Sequence, residues 1–231
     1  MRAGRTAALI LACLSLFLVG CALLPAGEAR TPAPTPRPTV FVVTASGPFF
    51  ETFDEPGDWT TGTTTASSGL VENGVYHLLI TEHSHLAWAS QTRSFGEGVY
   101  EVDATFINGS EGSSFGLIFL ATSDVRSFIY AMITGDGRYD VGYCEDACNE
   151  QESLIGGYTL AFTILPDNQT NRLRVEFQDG VITFKVNGAP VSQLRGVERS
   201  EGLVGLIGES ATYGGLEAVF DNLSVTEYPG E

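Results

Sequence analysis

The stretch Asn171–Val191, NRLRVEFQDGVITFKVNGAPV, decides the fold. Leu173, Val175 and Phe177 alternate with Arg172, Arg174 and Glu176, so one face of this segment is apolar and the other wet. Asp179-Gly180 then supplies two residues that tolerate positive φ, as a two-residue hairpin turn requires. Ile182, Phe184 and Val186 resume the alternation, and Asn187-Gly188 turns the chain again. A period of two broken by tight turns predicts an antiparallel sheet with one buried face. The runs GLVGLIG at 202–208 and AVFDNLSVTEY at 218–228 continue the pattern toward the C-terminus.

Upstream the same reading repeats. Val71–Ile80 is a hairpin through Asn73-Gly74, with Tyr76, Leu78 and Ile80 sharing a face. Leu86 and Trp88 open the next strand. Val99–Phe106 alternates, placing Tyr100, Val102, Ala104 and Phe106 inward and Glu101, Asp103 and Thr105 outward. Phe115–Ala121 is apolar throughout, as expected of a strand covered on both faces. Phe128–Ile133 and Arg138–Tyr143 form a hairpin through Gly135-Asp136-Gly137, and Leu160–Leu165 reads as a further strand. Phe49, Phe50, Phe53 and Trp59 form an aromatic cluster around a Pro-Gly turn. Roughly a dozen strands at this spacing predict an all-β, two-sheet antiparallel jelly-roll sandwich.

The N-terminus is an address. Arg2 and Arg5 lead into the short apolar run Ala7–Val19, which ends in Leu18-Val19-Gly20-Cys21. This resembles the bacterial lipobox, which implies a signal peptide over 1–20, acylation of Cys21 (palmitate among the chains), and a protein tethered to the cell membrane and facing outside the cytoplasm. Residues 21–47 then hold the lipidated Cys21 and a Pro/Thr-rich linker. Pro25, Pro32, Pro34, Pro36 and Pro38 exclude helix and sheet there. A stretch of about 18 residues at ~3.1 Å each reaches at most ~55 Å. The domain itself occupies 48–231.

The formal charge is −16 and Lys185 is the single lysine. Such a surface repels phosphate backbones, so nucleic acid is excluded as a partner. Of the four cysteines, Cys13 lies in the leader and Cys21 carries the lipid, which leaves Cys144 and Cys148 as a disulfide outside the cytoplasm. Gly112-Ser113-Ser114-Phe115-Gly116 matches G-x-S-x-G by letter but leads into a strand, whereas a serine-nucleophile elbow leads into a helix. His83 and His85 share a face without an evident third metal ligand and read as an exposed polar loop.

The order Tyr100-Glu-Val-Asp-Ala104, Gly116-Leu-Ile-Phe119, Asn171-Arg-Leu-Arg-Val175, Val186-Asn-Gly188 and Phe220-Asp-Asn-Leu-Ser-Val225 resembles the concanavalin A-like lectin/glucanase superfamily, in particular its laminin-G-like and family-16-like modules. The likeness covers about 49–227. It implies a carbohydrate or cell-envelope polymer as partner, recognised on the concave sheet around Glu101, Asp103 and Tyr130, with Trp88 and Tyr139 as further ring platforms. It also implies a structural calcium shared by Asp54, with Glu51 or Glu55, and Asp221. Retaining hydrolysis needs a carboxylate pair about 5–5.5 Å apart, and Thr105 stands where family-16 glucanases carry a third acid, so no catalytic residue is assigned. Three functions remain open: a surface-anchored non-catalytic binding module, a glycoside hydrolase-like enzyme on the same fold, and a structural or protein-interaction domain without a small ligand. Mass spectrometry of the membrane fraction is expected to show a chain beginning at acylated Cys21. A cytosolic protein still carrying its first twenty residues would refute the anchor.

Overall fold

The computed structural model describes residues 48–229, which contain strands and turns and no helix. The leader over 1–20, Cys21 and the linker up to 47 lie outside the described residues. A nine-stranded sheet runs in the order β14 (Ala189–Arg195), β13 (Val181–Val186), β12 (Thr170–Gln178), β6 (Gly98–Gly109), β16 (Leu216–Glu227), β4 (Val75–Ile80), β3 (Ser67–Glu72) and β2 (Gly62–Thr63), with β1 (Phe49–Glu51) also on β16. A seven-stranded sheet runs β10 (Glu150–Ser153), β9 (Arg138–Glu145), β8 (Phe128–Thr134), β7 (Ser114–Ala121), β15 (Gly202–Glu209) and β5 (Leu86–Phe95), with β11 (Thr159–Leu160) on β9. The strand pairs are antiparallel, and consecutive strands change sheets between β4 and β5, β5 and β6, β6 and β7, β11 and β12, β14 and β15, and β15 and β16. This is the two-layer jelly-roll sandwich expected from the alternation.

The turns form where their residues permit. Asn73-Gly74, Asp179-Gly180 and Asn187-Gly188 all have positive φ at both positions, which matches the turn twist to the flanking strands. Inward residues of the two sheets meet in one core that includes Tyr100, Val102, Leu173, Val175, Phe177, Phe184 and Phe220 from the nine-stranded sheet, and Phe115, Leu117, Phe119, Ala131, Ile133, Val141 and Leu206 from the other. Aromatic pairs cross the interface: Tyr100–Phe119 at 5.9 Å, Phe106–Phe115 at 6.1 Å, Phe115–Phe220 at 6.3 Å and Tyr139–Phe184 at 6.1 Å between ring centroids. Burial raises the Tyr76 hydroxyl to about 12. That hydroxyl donates to the Thr60 carbonyl at 2.7 Å, so it enters the core satisfied.

Two local expectations are corrected. The strand expected over Leu160–Leu165 stops at Leu160. Ala161 and Ile164 are the buried pair, three residues apart, and the Ile164 amide donates to the Ala161 carbonyl at 3.2 Å. That spacing makes a single turn and throws Phe162 outward, where it is 94% exposed. In the aromatic cluster Phe53 packs on Trp59 at 5.1 Å and Phe49 on Phe95 at 5.3 Å, but Phe50 points to solvent.

Cys144 and Cys148 are joined, with Cα atoms 4.5 Å apart, across the hairpin between β9 and the edge strand β10. Asp146, Ala147 and Cys148 all adopt left-handed φ, at 49°, 56° and 61°. Each such non-glycine residue costs roughly 1–2 kcal/mol. The turn is held by the disulfide, by the Ala147 amide on the Arg126 carbonyl at 2.7 Å, and by the Asp146–Arg126 ion pair.

Phe220 is fully buried and meets Phe115 of the opposite sheet edge-on, so Phe220→Ala is expected to destabilise the fold by about 3–5 kcal/mol. The urea midpoint measures this, and a loss under about 1 kcal/mol would contradict the packing described.

Candidate functional site

Glu101 and Asp103 project from β6 to the outer side of the nine-stranded sheet, where β12 sets Arg174 opposite Glu101 and Arg172 opposite Asp103. Arg172 Nε lies 3.6 Å from a carboxylate oxygen of each, and Arg174 Nη1 is 3.3 Å from Glu101. Asn222 Nδ2 donates to Asp103 at 3.0 Å. The ladder continues through Arg174 to Glu176 at 2.8 Å and Lys185 to Glu176 at 2.7 Å. Lys185, aided by Arg174, holds the Glu176 carboxyl below its usual range. These acids are partners of cations on the same face.

Tyr130 is on β8 of the other sheet and faces the opposite side of the sandwich, so it shares no surface with Glu101 and Asp103. The expected grouping fails because alternation assigns the two sides of each strand but not the sheet that the strand joins. Tyr139 turns inward, its ring on Phe184 and its hydroxyl donating to the Val191 carbonyl at 2.5 Å. Trp88 is half-buried on β5. Of the calcium candidates, Asp54 accepts from Thr52 Oγ1 at 2.7 Å, Glu51 accepts from Trp59 Nε1 at 3.1 Å, and Asp221 accepts from the Asn222 amide at 2.6 Å. Among the described residues no three His, Cys, Asp or Glu side chains gather into a group that could hold a metal ion.

The outer side of the seven-stranded sheet is different in kind. Ile118, Phe128, Tyr130, Met132, Cys144 and Ile207 form a second apolar cluster there, bordered by Leu86 and Trp88. This is the second cover foreseen for Phe115–Ala121, and every residue of β7 is buried. Trp88 and Phe128 stand three strands apart, roughly 14 Å on a flat sheet, yet their ring centroids are 5.6 Å apart. The two side chains lean toward each other over the strands between. Tyr130 lies on Gly142, where a Cβ would overlap its ring.

Beside this cluster is a group of acids and hydroxyls. Tyr130 donates to Asp140 Oδ2 at 3.1 Å and Ser153 Oγ to Asp140 Oδ1 at 2.5 Å, so both oxygens of that buried acid are satisfied. Tyr158 donates to Ser114 Oγ at 2.8 Å. Burial, with the Asp140 charge adding to it, raises the Glu209 carboxyl above its ordinary value, while hydrogen bonds from Gln151 and Tyr158 offset part of the rise.

Glu209 borders a cavity of about 150 Å³ that Ser84, Ser114, Tyr158, Ser210 and Thr212 also line. Its wall is tied in place: Ser210 Oγ donates to the Glu82 carbonyl at 2.6 Å and accepts from the His85 amide at 3.0 Å, and the Ser84 amide donates to the Ala211 carbonyl at 3.1 Å. Ser113 Oγ accepts from the Ala211 amide at 3.0 Å. Tyr213, next to Thr212, is 83% exposed. A larger cavity of about 410 Å³ is lined by Ile129, Leu154, Leu194 and Val197, and there Arg199 binds Glu145 at 2.8 Å and the Leu120 carbonyl at 3.1 Å. The smaller cavity places the Glu209 carboxyl, with no cation among the lining residues, beside the side chains of Ser84, Ser114, Tyr158, Ser210 and Thr212. Sequence reasoning missed Glu209, and met Ser114 only as the serine of the G-x-S-x-G match. The available signal was an acid closing the otherwise apolar run of 202–208.

A carboxyl with a raised value in the fold opposes folding once it ionises. Its contribution is therefore most favourable below the ordinary carboxylate range and declines as pH rises through the folded value. Glu209→Gln is expected to melt with the parent near pH 4 and above it at about pH 8. An equal gap at both pH values, by differential scanning fluorimetry, would refute the assignment.

No family model matches the chain. No curated protein matches it either. Solved structures do: the carbohydrate-binding module CBM66 from Bacillus subtilis has 17% identity and a TM-score of 0.58, over 74% of this chain and 97% of that one. A β-glucanase from Bacillus licheniformis has 14% identity and a TM-score of 0.57, over 79% and 99%. A family-16 endo-glucanase from Bacteroides ovatus has 10% identity and a TM-score of 0.58, over 77% and 99%. At these identities the likeness shows the fold, and the fold of this chain is the concanavalin A-like jelly roll.

Proposed function

We propose that this protein is a surface-anchored, non-catalytic module that binds a glycan or cell-envelope polymer through the Glu209 pocket. The observation that carries the proposal is the pocket itself: a carboxyl among serine, threonine and tyrosine side chains, with the exposed Tyr213 following Thr212 in the chain. Hydroxyls and carboxyls pair with sugar hydroxyls, and rings cover the apolar faces of pyranoses. The fold is one that a carbohydrate-binding module also adopts. The lipobox at Cys21 supports a membrane anchor, and the proline-rich spacer would hold the domain off the lipid surface.

The alternative, a glycoside hydrolase-like enzyme, draws support from the glucanases of like fold. Against it, hydrolysis needs two carboxyl groups flanking the scissile bond. The acid nearest in role to a partner for Glu209 is Asp140, which is 3% exposed and already bonded on both oxygens. The third reading, a protein-interaction domain, draws on the exposed Phe162, Leu160 and Leu165.

A glycan array probed with the detergent-solubilised full chain, followed by a reducing-sugar release assay on each glycan bound, tests these readings together. Binding without release is expected. Release supports the enzyme, and silence on the array favours the protein-interaction domain.

A further inference from the structure

The pocket has a shape and a charge that select among glycans, and the inference drawn from them rests on the glycan-binding reading above. We infer that the Glu209 pocket takes the terminal residue of an uncharged glycan chain, and admits neither the interior of a chain nor an anionic sugar.

Three observations converge on this. First, the pocket is a blind end. On the strands that carry Ser114 and Glu209, the outer face continues into Ile118 and Ile207, with Met132 beside them, all fully buried. The Tyr158 hydroxyl joins Ser114 Oγ at 2.8 Å and contacts Glu209, which places a wall between the pocket and the rest of that face. A polymer threaded through would have to break this bridge and displace packed side chains, whereas a chain end needs neither.

Second, the space is small. About 150 Å³ is well below the ~300–1,000 Å³ typical of sites for larger ligands, and suits one ring. The opposite wall cannot yield cheaply, because Ser210, Ala211 and Ser84 are joined by the hydrogen bonds already described.

Third, the only charged side chain lining the pocket is Glu209, with Asp140 behind it. No arginine or lysine lines it, and His83 and His85 lie on either side of Ser84, with His83 Nδ1 engaged 2.9 Å from the Gly214 backbone. A uronate, sulfate or phosphate placed here meets acids without a compensating cation, in a chain whose formal charge is −16. Burial biases Glu209 toward its neutral form, which can both donate to and accept from a sugar hydroxyl.

The test uses the detergent-solubilised full chain on an array that pairs each neutral glycan in linear form with a cyclic or end-capped form, beside uronate and phosphate polymers. Linear neutral glycans are expected to bind, with their cyclic or capped forms at least tenfold weaker and the anionic polymers silent. Equal binding of cyclic or capped forms, or binding of anionic polymers, overturns the inference and leaves the glycan-binding reading standing. Silence toward every glycan removes that reading, and the inference with it. With the best linear glycan, Glu209→Gln is expected to keep affinity within about threefold while Glu209→Ala loses tenfold or more. Thermal melts of both variants show whether each is folded. A loss in Glu209→Gln as large as in Glu209→Ala would mean that the negative charge itself is required, and would overturn the uncharged-ligand assignment.

Discussion

Contact between aromatic rings across the gap between the two sheets is the constraint on which the structure depends. Tyr100, Phe106 and Phe220 on one layer meet Phe119 and Phe115 on the other. Each ring buries a large apolar area, and pairs in these tilted and edge-on arrangements contribute about 0.5–1.5 kcal/mol beyond area alone. A one-residue slip of β6 would turn Tyr100 and Phe106 to water and bring Glu101, Asp103 and Thr105 into the core. The register of β6 and the outward direction of Glu101 and Asp103 therefore follow from the same set of contacts.

The two outer faces answer different demands. On the nine-stranded sheet, Glu101, Asp103 and Glu176 are matched by Arg172, Arg174 and Lys185 in a partly exposed ladder, where single pairs contribute at most about 1 kcal/mol and the arrangement chiefly prevents like charges from meeting across strands. On the seven-stranded sheet the acids Asp140 and Glu209 lie among tyrosines and serines with hydrogen bonds in place of cations. One face thus meets its carboxyls with cations, and the other meets them with hydroxyl donors.

Much of the fold was legible in the sequence. The hairpins at Asn73-Gly74, Asp179-Gly180 and Asn187-Gly188, the inward set of Val99–Phe106 and the doubly covered strand at Phe115–Ala121 rest on local alternation and turn chemistry, and each formed as read. The short strands β1, β2, β10 and β11 were not legible, because two to four residues carry no period and exist only through their neighbours. The candidate site was scarcely legible. Asp140, Ser114, Tyr158 and Glu209 are far apart along the chain and belong to different strands and loops, so nothing short of sheet order brings them together. Glu101 and Asp103 drew attention because they are adjacent on one strand, and adjacency is what a sequence displays best.

Lys185 has a practical consequence. It is the chain's single lysine, and it stands on the outer side of the nine-stranded sheet against Glu176, turned away from the cavity at Glu209. Amine-directed dyes, resins and cross-linkers thus find one lysine to attach to, on the reverse of the molecule. Immobilised or tagged there, the domain presents its opposite surface unobstructed and in a single orientation.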